Sequence, residues 1–136
     1  MSEFNHDFGD SVVEEWVYDG RACVITQHPN IGHYCGYART PLNISHLNTT
    51  YSGKEYVKLL NVHGGITYGL NEDGFVGFDC GHSQDVCFDD NGDVCMPTVI
   101  RNPEEYNCHW YVEDVKEEVR SLADQLSALE QFVEDN

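Results

Sequence analysis

The clearest pattern in the chain lies at its C-terminal end. Val112, Val115, Val119, Leu122, Leu126, Leu129 and Val133 recur at alternating steps of three and four. That spacing draws one apolar stripe on an amphipathic helix from about Trp110 to Phe132. The stripe is expected to pack across a sheet. It also satisfies a heptad, so a homodimer through the C-terminal helix is the rival use of the same face.

Upstream the pattern becomes strand-like. "VVEEWVYDGRACVITQ" (12–27) predicts two strands around Asp19-Gly20, because an Asp-Gly pair supplies the positive φ values of a type I′ turn. The alternation is imperfect, since Glu14 shares a face with Val12, Trp16 and Tyr18. "HPNIG" (28–32) reads as a turn and "HYCGYART" (33–40) as a third strand that Pro41 ends. "PLNISHLNTTYSGK" is a polar loop of the kind that carries sites, and "EYVKLL" (55–60) a short helix or edge strand. "NVHGGITYG" predicts a fourth strand, "LNEDG" a turn and "FVGFDC" a fifth strand. Gly81 to Asn102 lacks periodicity and predicts a long loop. Residues 1–10 read as a mobile acidic arm. The expected fold is a single α+β domain over residues 11–136. It has about five strands, largely antiparallel, with one long helix packed on the sheet.

Composition narrows the function classes. With 136 residues and 40% hydrophobic content, the chain can bury one core without staples. No window approaches the ~18 apolar residues of a membrane span, and the N-terminus lacks a signal-peptide pattern, so a cytoplasmic, non-membrane protein is expected. Six cysteines at irregular gaps, with no CxxC pair, are expected to be free thiols. The net charge of −17, with three lysines, repels phosphate backbones and argues against binding a nucleic-acid duplex. Such a surface suits a halophilic cytoplasm or an acidic decoy. Between Gly20 and Leu70 the balance reverses: Glu55 stands against Arg21, Arg39, Lys54 and Lys58. An anionic small-molecule ligand is therefore still compatible with the central segment.

The residues that invite chemistry sit around the "NEDG" turn. Asp79, His82 and Asp85 fall where the fifth strand ends, and His63 lies on the strand before it. Two imidazoles at one sheet end suit general acid and base at neutral pH, with a carboxylate fixing one ring's tautomer. His63, His82, Asp79 or Asp85 would alternatively hold a divalent metal that activates water. No H-E-x-x-H motif is present, and "DDNGD" (89–93) fails the calcium-loop template. The plain alternatives are a turn-binding His63, an Asp79 that caps loop amides and a Cys80 buried as a thiol.

"HYCGYARTP" with His46, "VHGGITY", "GFDCGHSQD" and "EDVKEEVRSLADQL" together resemble a family of small proteins of tailed phages, actinobacteria and haloarchaea. The resemblance spans about residues 16–130. Its motif positions are Cys35, Gly36, Tyr37, Pro41, His46, His63, Gly64, Gly65, Thr67, Gly77, Phe78, Asp79, Cys80, His82 and Asp85. Leu47 departs from it where the family carries proline, and Cys87 and Cys95 fall outside it. The resemblance brings no activity with it, but implies that His46, His63, Asp79, His82 and Asp85 form one site.

The expected function is a small hydrolase or phosphodiesterase-like protein acting on a nucleotide-like molecule, with phage counter-defence as the setting the resemblance suggests. His63 and His82 would be acid and base, Asp79 the orienting carboxylate and Arg39 an anion clamp. His46, Gly64, Gly65, Thr67 and Asp85 would line the ligand. The alternatives are a sequestering protein without chemistry and an acidic, protein-binding inhibitor.

Overall fold

The computed structural model describes residues 8–41, 60–68, 74–96 and 102–135. A four-stranded antiparallel sheet runs in the order β1 (Val12–Tyr18), β2 (Arg21–Gln27), β3 (Tyr34–Arg39), β4 (Phe75–Asp79). A second sheet pairs β5 (Asp85–Cys87) with β6 (Cys108–Trp110) in parallel, and helix α1 (Val112–Asp135) closes the chain. The architecture is α+β, with one long C-terminal helix. No helix among the described residues is long and apolar enough to cross a membrane.

Asp19 and Gly20 both take positive φ, 52° and 79°, as the I′ turn between β1 and β2 requires. A bulge between Val12 and Glu14 takes Val12 off the face that Glu14 shares with Trp16 and Tyr18. One extra residue moves every later side chain to the other face. Val12 thus packs with Val24 and Phe75 on one side, while Trp16 and Tyr18 join the helix side. Glu14 also stays on the helix side, where it pairs with Lys116 of α1 at 2.5 Å, and the Lys116 ammonium lies over the Trp16 ring.

Both faces of the sheet are covered, which is why Ala22 to Thr26 are all buried. On one face Cys23, Ile25, Ala38, Val76 and Phe78 pack against Val115, Val119, Leu122, Ala123 and Leu126 of α1. Val115, Val119, Leu122, Leu126 and Leu129 of the stripe that also fits a dimer seam are buried in the chain's own core. On the other face Phe8, Tyr37, Tyr68 and Phe75 form an aromatic group. Gly36 lets the helix come close. A Cβ there would stand 2.5 Å from Val119 Cγ2 and 2.7 Å from Phe78 Cζ. Arg21 ties the far end of α1 to the sheet, donating to both Glu130 carboxylate oxygens at 2.7 and 2.8 Å. Burial alone would raise the Glu130 carboxyl. Arg21 and the Thr40 hydroxyl outweigh it and hold the group below its usual range.

Four expectations change. "NVHGGITYG" is not a strand among its described residues: His63-Gly64 is a turn, and only Tyr68 bridges to Gly77. Gly64 and Gly65 take φ of 70° and 81°, which interrupts an extended run. The expected loop from Gly81 contains β5 and a Phe88–Val94 bridge. The helix begins at Val112, because Trp110 belongs to β6, and reaches Asp135. Asp114 accepts the Tyr111 amide at 2.9 Å, half of a capping box at that start. The acidic arm expected over residues 1–10 gives way at Phe8, which packs on Tyr37. Residues 1–7, the loop after Pro41, most of "EYVKLL" and Asn71–Asp73 lie outside the described residues. All six cysteines are free thiols. Burial pushes Cys23 up to about 11 and Cys87 up to about 12, and Cys80 higher still. These three are inert core groups rather than nucleophiles.

Candidate functional site

The site is assembled from three chain segments at one end of the sheet. The first leaves β4. Cys80 stays tied to β3 through its amide, 2.8 Å from the Tyr34 carbonyl. The chain then turns, with the Asp85 amide on the His82 carbonyl at 2.9 Å, and enters β5 at Asp85. The second is the turn at His63. Its amide donates to Glu118 Oε2 of α1 at 2.8 Å, and Gly65 closes on the Val62 carbonyl. The third is β6, whose parallel register sets Cys108 beside Asp85 and Trp110 beside Cys87.

Asp85 is the hub. Its side chain has 0% exposure, yet it carries a full set of partners. His63 Nε2 lies 2.8 and 2.9 Å from its two oxygens. The His82 amide donates to Oδ2 at 2.9 Å and Trp110 Nε1 to Oδ1 at 3.0 Å. His82 Nδ1 stands 3.2 Å from Oδ2. Burial pushes the Asp85 carboxyl up, but the bonds from His63, the His82 amide and Trp110 outweigh it and hold the group below its ordinary value. It is thus an ionised carboxylate at neutral pH, which suits it to orient and stabilise an imidazolium.

The two imidazoles meet edge to face with ring centres 5.3 Å apart, inside the ~10 Å within which both could serve one reacting group through a hydrogen bond or one water. Gly64 makes this approach feasible. A Cβ there would fall 2.2 Å from His82 Cε1, and the residue also takes positive φ. Gly65 shares the positive φ but faces open space.

The structure brings His63, His82, Asp79 and Asp85 together and divides the carboxylates' roles differently from expectation. Asp79 Oδ1 accepts the Gly81 amide at 3.0 Å and lies 3.6 Å from His82 Nδ1. Asp79 therefore caps the turn, and the closer carboxylate to both rings is Asp85. Arg39 is elsewhere. Asp79 pairs with Cys35, and Arg39 pairs with Phe75 at the other end of the same two strands. That is about 13 Å away along the sheet. The Arg39 guanidinium lies over the Phe75 ring at 4.6 Å. Thr67 is exposed and donates its amide to the Gly77 carbonyl. His46 lies outside the described residues.

Three neighbours were not singled out from the sequence. Trp110 and Cys108 arrive through the β5–β6 pairing, which no local pattern announces. His33 arrives by packing: a Cβ on Gly81 would stand 2.9 Å from its ring, and the ring stacks on His28 with centres 5.0 Å apart. Its Nδ1 is buried without a hydrogen-bond partner. Burial, then the neighbouring His28, lower its proton affinity. A cleft of about 610 Å³ opens beyond this stack, lined by Ser11, Gln27, His28, Asn30 and Cys95 among others. None of the acid–base residues lines it. His28 lines the cleft, while His33 stands against Gly81 of the turn that carries His82.

A cation is the other thing these residues could hold. Ligand atoms of His63, Asp85 and Cys108 all lie within 4.8 Å of one another. Comparison of the chain with family models, with curated proteins and with solved structures returns no match.

Proposed function

We propose that this chain is a small hydrolase acting on the phosphoryl group of an anionic, nucleotide-like small molecule. The observation that carries the reading is one shared carboxylate, Asp85, which binds His63 Nε2 at 2.8 Å and the His82 amide at 2.9 Å with the two rings 5.3 Å apart. The His63–Asp85 unit activates water. The water's proton leaves to this unit as its oxygen bonds to phosphorus. The ester P–O bond breaks, and the departing oxygen takes a proton from His82. Imidazole suits both tasks because it titrates near neutrality, and each proton transfer contributes roughly 10²–10⁴ in rate. Nε2 of His63 faces Asp85, which leaves Nδ1 for the proton. Positive charge toward the anionic group comes from a protonated imidazole, since Arg39 sits at the other sheet end. The likeness to phage and haloarchaeal proteins adds a nucleotide signal of host defence as the substrate.

The test is turnover of a panel of cyclic and linear nucleotides, read by chromatography. Products that disappear in His63→Ala and His82→Ala support the reading. Intact ligand released by heat denaturation assigns the protein to sequestration instead. Neither binding nor turnover, unchanged in both variants, removes both and leaves an acidic, protein-binding role.

A further inference from the structure

We infer that His63, Asp85 and Cys108 form a binding site for a single borderline-soft divalent cation of the zinc class. The inference rests on the proposed reaction only for the ion's purpose, since it supplies the means by which the His63–Asp85 unit activates water. The donor set points to the ion class. One imidazole, one carboxylate and one thiolate are all zinc ligands, whereas calcium and magnesium take oxygen donors.

The geometry is close to what such an ion needs. Two ligand atoms each ~2.1 Å from a tetrahedral ion lie roughly 3.4 Å apart. His63 Nε2 and the Asp85 oxygens are already at 2.8 and 2.9 Å, and the whole set spans no more than 4.8 Å. Closure therefore asks for about an ångström of side-chain movement. The backbone supports it: Asp85 and Cys108 are register partners in the parallel pair, so their Cα atoms are fixed side by side. The turn that carries His63 is pinned to α1 through Glu118.

The surrounding contacts are those of a built site. Ligating carboxylates are themselves hydrogen-bonded, which fixes their orientation. Asp85 Oδ1 holds Trp110 Nε1 at 3.0 Å and Oδ2 holds the His82 amide at 2.9 Å. Neither bond has to break when an ion replaces the His63–Asp85 hydrogen bond. Three protein ligands leave a fourth position for water, the arrangement of catalytic rather than structural zinc sites. His63 then holds the ion through Nε2, the ion-bound water gives up its proton to solvent in place of the His63–Asp85 unit, and His82 still protonates the departing oxygen.

The experiment titrates the chelator-stripped full chain with cobalt(II), followed by zinc competition against a chromophoric chelator. One cobalt per chain is expected, with a thiolate-to-cobalt charge-transfer band in the near ultraviolet and visible bands of four-coordinate intensity. Cys108→Ser should abolish the charge-transfer band, and Cys108→Ser and His63→Gln should each weaken zinc binding by at least about 100-fold. Cys108→Ser is nearly isosteric, and urea unfolding checks that it folds. No stoichiometric binding overturns the inference, as does a cobalt spectrum without the thiolate band or unchanged affinity in Cys108→Ser. Its failure is separable from that of the proposed reaction. Turnover that survives EDTA without bound ion overturns the cation site and keeps the hydrolase. Tight binding with no turnover of any nucleotide does the reverse.

Discussion

Asp85→Asn tests the hub most stringently, because it removes the charge and keeps the shape. The wild-type carboxylate accepts from Trp110 Nε1, the His82 amide and His63 Nε2 at 3.0, 2.9 and 2.8 Å. A carboxamide has one oxygen and one donor group. It can serve one side of this set, and its NH₂ then confronts a donor on the other. Hydrogen bonds to a charged acceptor contribute about 1.5–3 kcal/mol each, and an orphaned buried donor costs about 1–3 kcal/mol. One lost bond with one orphaned donor amounts to roughly 3–5 kcal/mol, as when one partner of a buried pair is removed. Domain stability is about 5–15 kcal/mol. With a urea slope of about 1–3 kcal/mol/M, the midpoint should fall by roughly 1–5 M. Tryptophan fluorescence reads it, since Trp110 contacts the substituted group. The difference should also depend on pH. A carboxyl held below its ordinary value contributes stability that is present above its unfolded pKa of ~3.9 and lost as pH falls through the lower folded value. The gap between the two proteins should thus be widest at neutral pH and shrink below about pH 4. A gap under about 1 kcal/mol at neutrality, or one that stays constant into strong acid, would refute the assignment of Asp85 as an ionised, fully partnered carboxylate.

Three further outcomes follow from single positions. Gly64→Ala should disturb His82 and lower turnover well beyond Gly65→Ala, because both pay the roughly 1–2 kcal/mol of a left-handed backbone but only the first meets the imidazole at 2.2 Å. Equal effects on turnover would show that the close approach does not matter. Gly36→Ala should cost about 1–3 kcal/mol by forcing α1 off the sheet, read as a fall in Tm with the Asp85 contacts intact; an unchanged Tm would contradict the packing. His33 resists protonation in the folded protein, so the stability it confers is present above its unfolded pKa and is lost as pH falls through the lower folded value. His33→Gln should flatten the rise in urea midpoint between about pH 5 and 7, and an unaltered slope would remove His33 as its source.

Periodicity and turn chemistry were readable where they are local. The Val112–Leu129 stripe announces α1, and Asp19-Gly20 announces the first hairpin, because each is encoded within a few residues. The β5–β6 pair was not readable. Each strand has only three residues, buried throughout in β5 and half-buried around an exposed His109 in β6, too few to show a period, and their partners lie 23 residues apart in the chain. Cys108 and Trp110 were missed for that reason, and Asp79 was favoured over Asp85 as the orienting group. The proximity of His63 and His82 was expected from a hairpin register. It arises instead from two turns packed together through Gly64. Arg39 reads as an anion clamp only because nothing in the sequence tells which end of β3 faces the histidines.

The proposed hydrolysis is tested most directly at His82. Its side chain is 40% exposed, so His82→Gln should leave the fold intact. The measurement is kcat/KM of this variant on the nucleotide that the wild-type protein turns over, beside its urea midpoint. The account predicts a fall of roughly 10²–10⁴ at an unchanged midpoint. Undiminished kcat/KM in the folded variant would contradict it.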